Sequence, residues 1–126
     1  MSREIGLEGE REAARYLKKK GYAIITKNFR APGGEVDIIA RDGKTLVFVE
    51  VKTRKGGQFG EGHWAVDARK RKHLTLAAMA YLVKKGIRNR PCRFDLVVLD
   101  QEAGLPPTPR FELIKNAFDA EFQEMG

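Results

Sequence analysis

The stretch EVDIIARDGKTLVFVEVKT, residues 35–53, decides the fold. Two runs rich in Val and Ile, Glu35 to Arg41 and Thr45 to Thr53, flank Asp42-Gly43-Lys44, a sequence suited to a tight reversal, so the pattern predicts a β-hairpin. Side chains alternate across a strand. In the second run Glu50 and Lys52 therefore share one face and Val47, Val49 and Val51 the other. In the first, Glu35 and Asp37 share a face, with Val36 and Ile38 behind. Register decides whether the acidic faces meet. A turn of two or four residues puts Asp37 on the face of Glu50 and Lys52, directly opposite Glu50 in one register and diagonal to it in the other; a three-residue turn separates them.

Outward from the hairpin, residues 4–20 predict a helix with Glu10, Ala13, Ala14 and Leu17 on one face and Gly21 as its left-handed cap. Tyr22 to Phe29 reads as a strand and Ala31-Pro32-Gly33-Gly34 as a turn. Beyond the hairpin, residues 55–66 hold four glycines and predict a mobile loop. A second helix is expected from Asp67 as N-cap to Lys85, closed by Gly86, with Leu74, Ala77, Ala78, Tyr81 and Leu82 as its apolar stripe. Arg93 to Leu99 predicts a fourth strand, Gln101 to Pro109 a proline-rich loop, Arg110 to Ile114 a short edge strand and Ala117 to Glu124 a terminal helix. The order is αβββαβ, then β and α, in one α/β domain over 1–126 with a core at 4–100 and an extension at 101–126.

Composition excludes several classes. With 42% apolar and 33% charged residues the chain is neither disordered nor low in complexity. Apolar runs such as Leu96 to Leu99 fall far short of the roughly 20 residues of a membrane span, and Met1-Ser2-Arg3-Glu4 opens no apolar leader, so no membrane and a cytoplasmic location are expected. A lone cysteine, Cys92, excludes an internal disulfide and a cysteine zinc cluster. Residues 1–100 carry 22 basic and 12 acidic side chains, a charge of +10, against −3 for residues 101–126. Such a body attracts polyanions and points to nucleic acid; solubility is the plainer explanation.

The hairpin carries the chemistry. A carboxylate and an ammonium on a strand buried on both faces cost desolvation energy that surface positions avoid. Two carboxylates as close as Asp37 and Glu50 repel unless one is protonated or a cation lies between them, and hard oxygen ligands suit Mg²⁺ or Mn²⁺. Asp37, Glu50 and the carbonyl of Val51 are the expected metal ligands, with Lys52 placed to orient the attacking water and neutralise a phosphate. The alternative is a structural Glu50–Lys52 ion pair on an exposed strand end. Glu35 is either a third site acid or a partner for Lys52. Arg69, Lys70, Arg71 and Lys72 crowd an already positive helix N-terminus, which a phosphate backbone would relieve. Arg54 and Lys55 extend that track; a solvated charged face is the alternative. Phe59, His63 and Trp64 stack on bases or anchor the loop to the core. His63 and His73 lack the spacing of a zinc pair, and Asp95 is expected to pair with a nearby arginine.

Asp37 followed by Glu50-Val51-Lys52 resembles the PD-(D/E)XK nucleases, in which an acid precedes Glu-X-Lys on the next strand; Val36 stands where the family name has proline. More specifically, Gly9-Glu10 with Ala13 and Tyr16-Leu17, Gly34 to Ala40, Val47 to Arg54, Phe59-Gly60 and Arg93-Phe94-Asp95 resemble the YraN-type proteins over residues 6–99. The resemblance implies a restriction-endonuclease-like αβββαβ core with a mixed central sheet flanked by helices, and similarity to archaeal Holliday-junction resolvases. It implies that Glu10 joins Asp37, Glu50 and Lys52 as a catalytic acid supporting the metal, that Lys70 is the foremost backbone contact, and that the protein is a homodimer. The expected activity is Mg²⁺- or Mn²⁺-dependent cleavage of DNA, rather than RNA, on branched or structured substrates. A nuclease-like adaptor that binds without cleaving, and a protein-interaction domain with a merely basic surface, are the competing classes.

Overall fold

Asp42 pairs with Thr45, leaving Gly43 and Lys44 as a two-residue turn, with Gly43 at a φ of 61°. This hairpin is the centre of a computed structural model that describes residues 2–54, 66–103 and 108–119. The elements are α1 (Ser2–Lys19), β1 (Ala23–Ala31), β2 (Gly34–Asp42), β3 (Thr45–Arg54), α2 (Ala68–Lys85), β4 (Cys92–Ala103) and β5 (Thr108–Phe118). They give an α/β fold in the expected αβββαβ order, extended by β5. Among the described residues five strands lie in sequence order, and only β3 and β4 run parallel. A parallel pair needs a crossover, and α2 supplies it.

Each face of the sheet carries one helix. Ala13, Ala14 and Leu17 of α1 pack on Ile38, Ala40, Val47, Val49 and Val97. Leu74, Ala77, Ala78 and Tyr81 of α2 pack on Val36, Ile39, Leu46, Phe48, Leu96 and Val98. Sheets covered on both sides have strands with continuous apolar runs, as Leu46 to Val49 of β3 and Leu96 to Leu99 of β4 are. Two glycines let the helices come close. A Cβ on Gly34, at the start of β2, would overlap the backbone carbonyl of His73 in α2. One on Gly9 of α1 would lie 2.7 Å from Thr53 Oγ1 at the end of β3. Helix α2 begins at Asp67, whose carboxylate accepts from Lys70 N at 2.8 Å, and ends on Gly86 at a φ of 65°.

Val36 and Ile38 do not share a face as simple alternation predicts. Val36 belongs to the core under α2 and Ile38 to the core under α1. The partner strand changes sides at the same step: Lys27, opposite Ile38, is exposed, whereas Phe29, opposite Val36, packs edge-on against Tyr81. Between Lys27 and Phe29 stands Asn28, with a φ of 57°. A left-handed residue inside a strand breaks the two-residue period, and asparagine tolerates that conformation better than most residues.

The C-terminal expectations need correction. β4 continues to Ala103 and β5 already begins at Thr108, so both ends of the supposed 101–109 loop are strand. β5 also runs through Ala117 and Phe118, where a helix was expected, because Phe118 stacks on Phe94 at 4.6 Å and this packing outweighs local preference. Residues 120–124 of that helix lie outside the described residues. On the α1 side, Arg93 binds Asp95 through Nε at 2.9 Å and Asp42 at 2.7 Å, and Tyr22 donates to Asp95 at 2.7 Å. The fully buried Asp95 thus has the arginine partner expected of it, and Asn116 N adds a further bond at 2.9 Å.

Candidate active site

The hairpin register is the one that sets Asp37 directly opposite Glu50. The ladder runs from Asp42–Thr45 to Ile38–Val49, and one further step reaches Asp37 and Glu50. There the side chain replaces the ladder: Asp37 Oδ2 accepts from the N–H of Val51 at 2.8 Å. The side chain of Asp37 is within hydrogen-bonding reach of both Glu50 and Glu10. Three acids from β2, β3 and α1 thus stand in a row with Asp37 in the middle. Among the described residues they do not close into a ready-made three-ligand cage.

Carboxylates cannot share hydrogen bonds unless a proton or a cation mediates. The side chain of Glu50 is 7% exposed, and burial followed by the charge of Asp37 pushes its carboxyl up to about 8. Burial and then Asp37 likewise push Glu10 up to about 7. Among the described residues, Oε1 of Glu10 and Oε1 of Glu50 are buried without a hydrogen-bond partner. Orphaned carboxylate oxygens beside a second carboxylate are the donor set a hard divalent cation takes, so the residues fit Mg²⁺ or Mn²⁺. Asp37 and Glu50 would hold it, with Glu10 beside them.

Among the described residues the ion-pair partner of Glu50 is Lys70 of α2, at 3.2 Å. The Glu50–Lys52 pair weighed from the sequence is not what forms. Lys52 is half-buried, two residues beyond Glu50 and opposite Val98. Burial works to lower the ammonium of Lys70, but Glu50 together with Asp37 and Glu35 outweighs it and the net shift is upward. Glu35 forms its ion pair with Arg30 at 3.3 Å and not with Lys52, while its charge also reaches Glu10 and Lys70.

The four successive cations at the start of α2 divide in what they contact. Arg69 and Lys72 are exposed, Lys70 turns to Glu50, and Arg71 donates to the carbonyl of Val66 at 2.6 Å. A helix turns about 100° per residue, so four successive side chains cannot share a face. The backbone of Arg54 ends β3, whereas its side chain, Lys55, Phe59, His63 and Trp64 lie outside the described residues. Sequence reasoning missed Asn28, whose side chain hydrogen-bonds Glu10. The available signal was an asparagine inside a strand, where that residue is depleted.

The chain is therefore an α/β protein whose αβββαβ arrangement is consistent with a restriction-endonuclease-like core, with a row of acids from β2, β3 and α1. The family description "Uncharacterised protein family UPF0102" matches residues 9–99, and the chain belongs to that family. A UPF0102 protein of Geobacter sulfurreducens is 47% identical over 118 residues, covering 94% of this chain and 91% of its own length. One from Symbiobacterium thermophilum is 48% identical over 120 residues, covering 95% and 100%. One from Pseudomonas aeruginosa is 42% identical over 120 residues, covering 94% and 95%.

Proposed function

We propose that the protein is a Mg²⁺- or Mn²⁺-dependent endonuclease acting on DNA, with branched or otherwise structured DNA as its substrate. The observation that carries this reading is Asp37 standing between the half-buried Glu10 and the buried Glu50, with an oxygen of each glutamate unpartnered among the described residues. The resemblance of Asp37 and Glu50-Val51-Lys52 to the PD-(D/E)XK pattern, and of the chain to archaeal resolvases, supports the same chemistry. When bound, the cation supplies charge neutralisation on the phosphoryl oxygens and a water acidified toward hydroxide. Lys52 orients that water and offsets charge developing on the phosphate as the P–O bond to the leaving strand breaks. Asp37 is held for its part by the Val51 N–H, and Glu10 by Asn28. The basic body, +10 over residues 1–100, draws the substrate in; the resolvase-like relatives suggest a homodimer working on both arms of a junction.

The test uses the full chain with linear, flapped and four-way DNA in Mn²⁺. Cleavage is expected, and Asp37→Ala and Glu50→Ala are expected to lose it. Absence of cleavage by the parent, or equal cleavage by either variant, removes the catalytic reading. A second reading rests on the Lys70–Glu50 pair, which already neutralises one carboxylate: an adaptor that binds nucleic acid without cutting it. That reading requires DNA binding unchanged by chelator.

A further inference from the structure

Lys70 belongs to two places at once. Its ammonium stands 3.2 Å from Glu50 Oε2, on the outer side of the acid row. Its side chain is also 44% exposed and lines an open groove of about 490 Å³ beside the β1–β2 turn. Arg30, Gly33, Gly34 and His73 share that groove, together with Glu35, which is engaged by Arg30 at 3.3 Å. The groove is built by the close approach at Gly34, where a Cβ would overlap the His73 carbonyl. Its size suits a small ligand, and its side chains are mostly cationic or able to donate to an anion.

From this geometry we propose that Lys70 is an internal counter-ion that holds the place of the divalent cation, and that the groove takes a substrate phosphate which draws Lys70 off Glu50. This deepens the endonuclease reading and rests on it for the identity of the cation. The physical argument is competition for one carboxylate. Glu50 has a single oxygen facing Lys70 and a second, buried oxygen with no partner, so a cation bridging Glu50 and Asp37 meets repulsion from the ammonium. A phosphate in the groove offers Lys70 a new partner within reach of its flexible stem. Cation and phosphate then favour each other without needing to touch, and by linkage the favour is mutual.

The experiment measures Mn²⁺ binding by calorimetry in the full-length parent, in Lys70→Met and Lys70→Gln, and in Lys27→Met. Lys27 is an exposed residue of β1 and controls for net charge. Each is titrated with and without a 5′-phosphorylated thymidine dinucleotide. Expected is a gain of about fivefold or more in Mn²⁺ affinity on adding the dinucleotide to the parent. Both Lys70 variants should start about fivefold tighter without it and gain less than about twofold from it, while Lys27→Met follows the parent. Lys70 variants that match the parent, or a Lys27 variant that tightens as much as they do, overturn the proposal. If the parent cuts DNA but the Lys70 variants bind Mn²⁺ as it does, this inference fails and the nuclease reading stands. If the coupling appears and no DNA is cut, the coupling stands and the nuclease reading fails. If no variant binds Mn²⁺, both fall.

Discussion

Glu50 is expensive where it stands. A buried carboxyl group with one orphaned oxygen and a second carboxylate beside it costs desolvation energy that the Lys70 ammonium only partly offsets. Its partner Lys70 is partly exposed, so losing the pair costs little on the lysine side. Glu50→Gln is therefore expected to stabilise the metal-free protein by on the order of 1 kcal/mol, read by urea denaturation in chelator, while abolishing cleavage. A lower midpoint would mean that the ion pair outweighs the burial. Asp42 has the opposite sign. The hydrogen bond from Arg93 holds its carboxyl below the ordinary 3.8, with Lys115 adding to the effect. A depressed folded value stabilises fully above the unfolded value and fades as pH falls through the folded one. Asp42→Asn should thus lose stability near neutrality, and its deficit should close as the solution is acidified to about pH 2. A deficit that persists in acid would assign the loss to packing. At this scale the sequence was generous. Asp37 and Glu50 could be brought together by counting along the hairpin for a turn of two or four residues, and the two-residue turn at Gly43 and Lys44 is what the chain adopts. Lys70 at Glu50 could not, since it depends on how α2 crosses the sheet twenty residues later.

Helices α1 and α2 approach the sheet closely at glycines, Gly9 against the Thr53 side chain and Gly34 against the His73 carbonyl, and these approaches position Glu10 and Lys70. Gly9→Ala is expected to push α1 from the end of β3 and cost about 1–3 kcal/mol, with Mn²⁺ binding weakened as Glu10 is displaced. Because the obstacle is Thr53 Oγ1 at 2.7 Å, the double change Gly9→Ala with Thr53→Ala should recover much of both losses. Thermal melts and Mn²⁺ titrations of the single and double variants check this, and a double variant no better than Gly9→Ala alone would place the strain elsewhere. The elements themselves were mostly legible. Apolar periodicity marked α1 and the caps Asp67 and Gly86 bounded α2, while continuous Val and Leu runs marked β3 and β4. The end of β5 was not, because Phe118 is held in the strand by stacking on Phe94, a contact between residues 24 positions apart that no local window contains.

Charge belongs to the whole molecule. A body of +10 with a terminal stretch of −3 should bind DNA with affinity falling steeply as salt rises, by at least about tenfold between roughly 50 and 200 mM. Fluorescence anisotropy with a labelled duplex measures it, and a flat response would show that the basic body is not the contact. The mixed sheet, covered by one helix on each side, brings acids from α1, β2 and β3 to one place. The inversion at Asn28 is what lets that happen. Up to Ile38 the second strand turns one set of side chains toward α1, and by Val36 it has exchanged sides, with Asp37 at the crossing. Asp37 owes its access to acids from both layers to the handedness of a neighbouring residue. Asn28→Val, unwilling to take a positive φ, should therefore silence DNA cleavage in a folded protein that still contains every acid and lysine of the motif. An active Asn28→Val enzyme would refute this. The written pattern of Asp37 and Glu50-Val51-Lys52 can thus be intact while the arrangement it needs is absent, because one of its requirements is conformational.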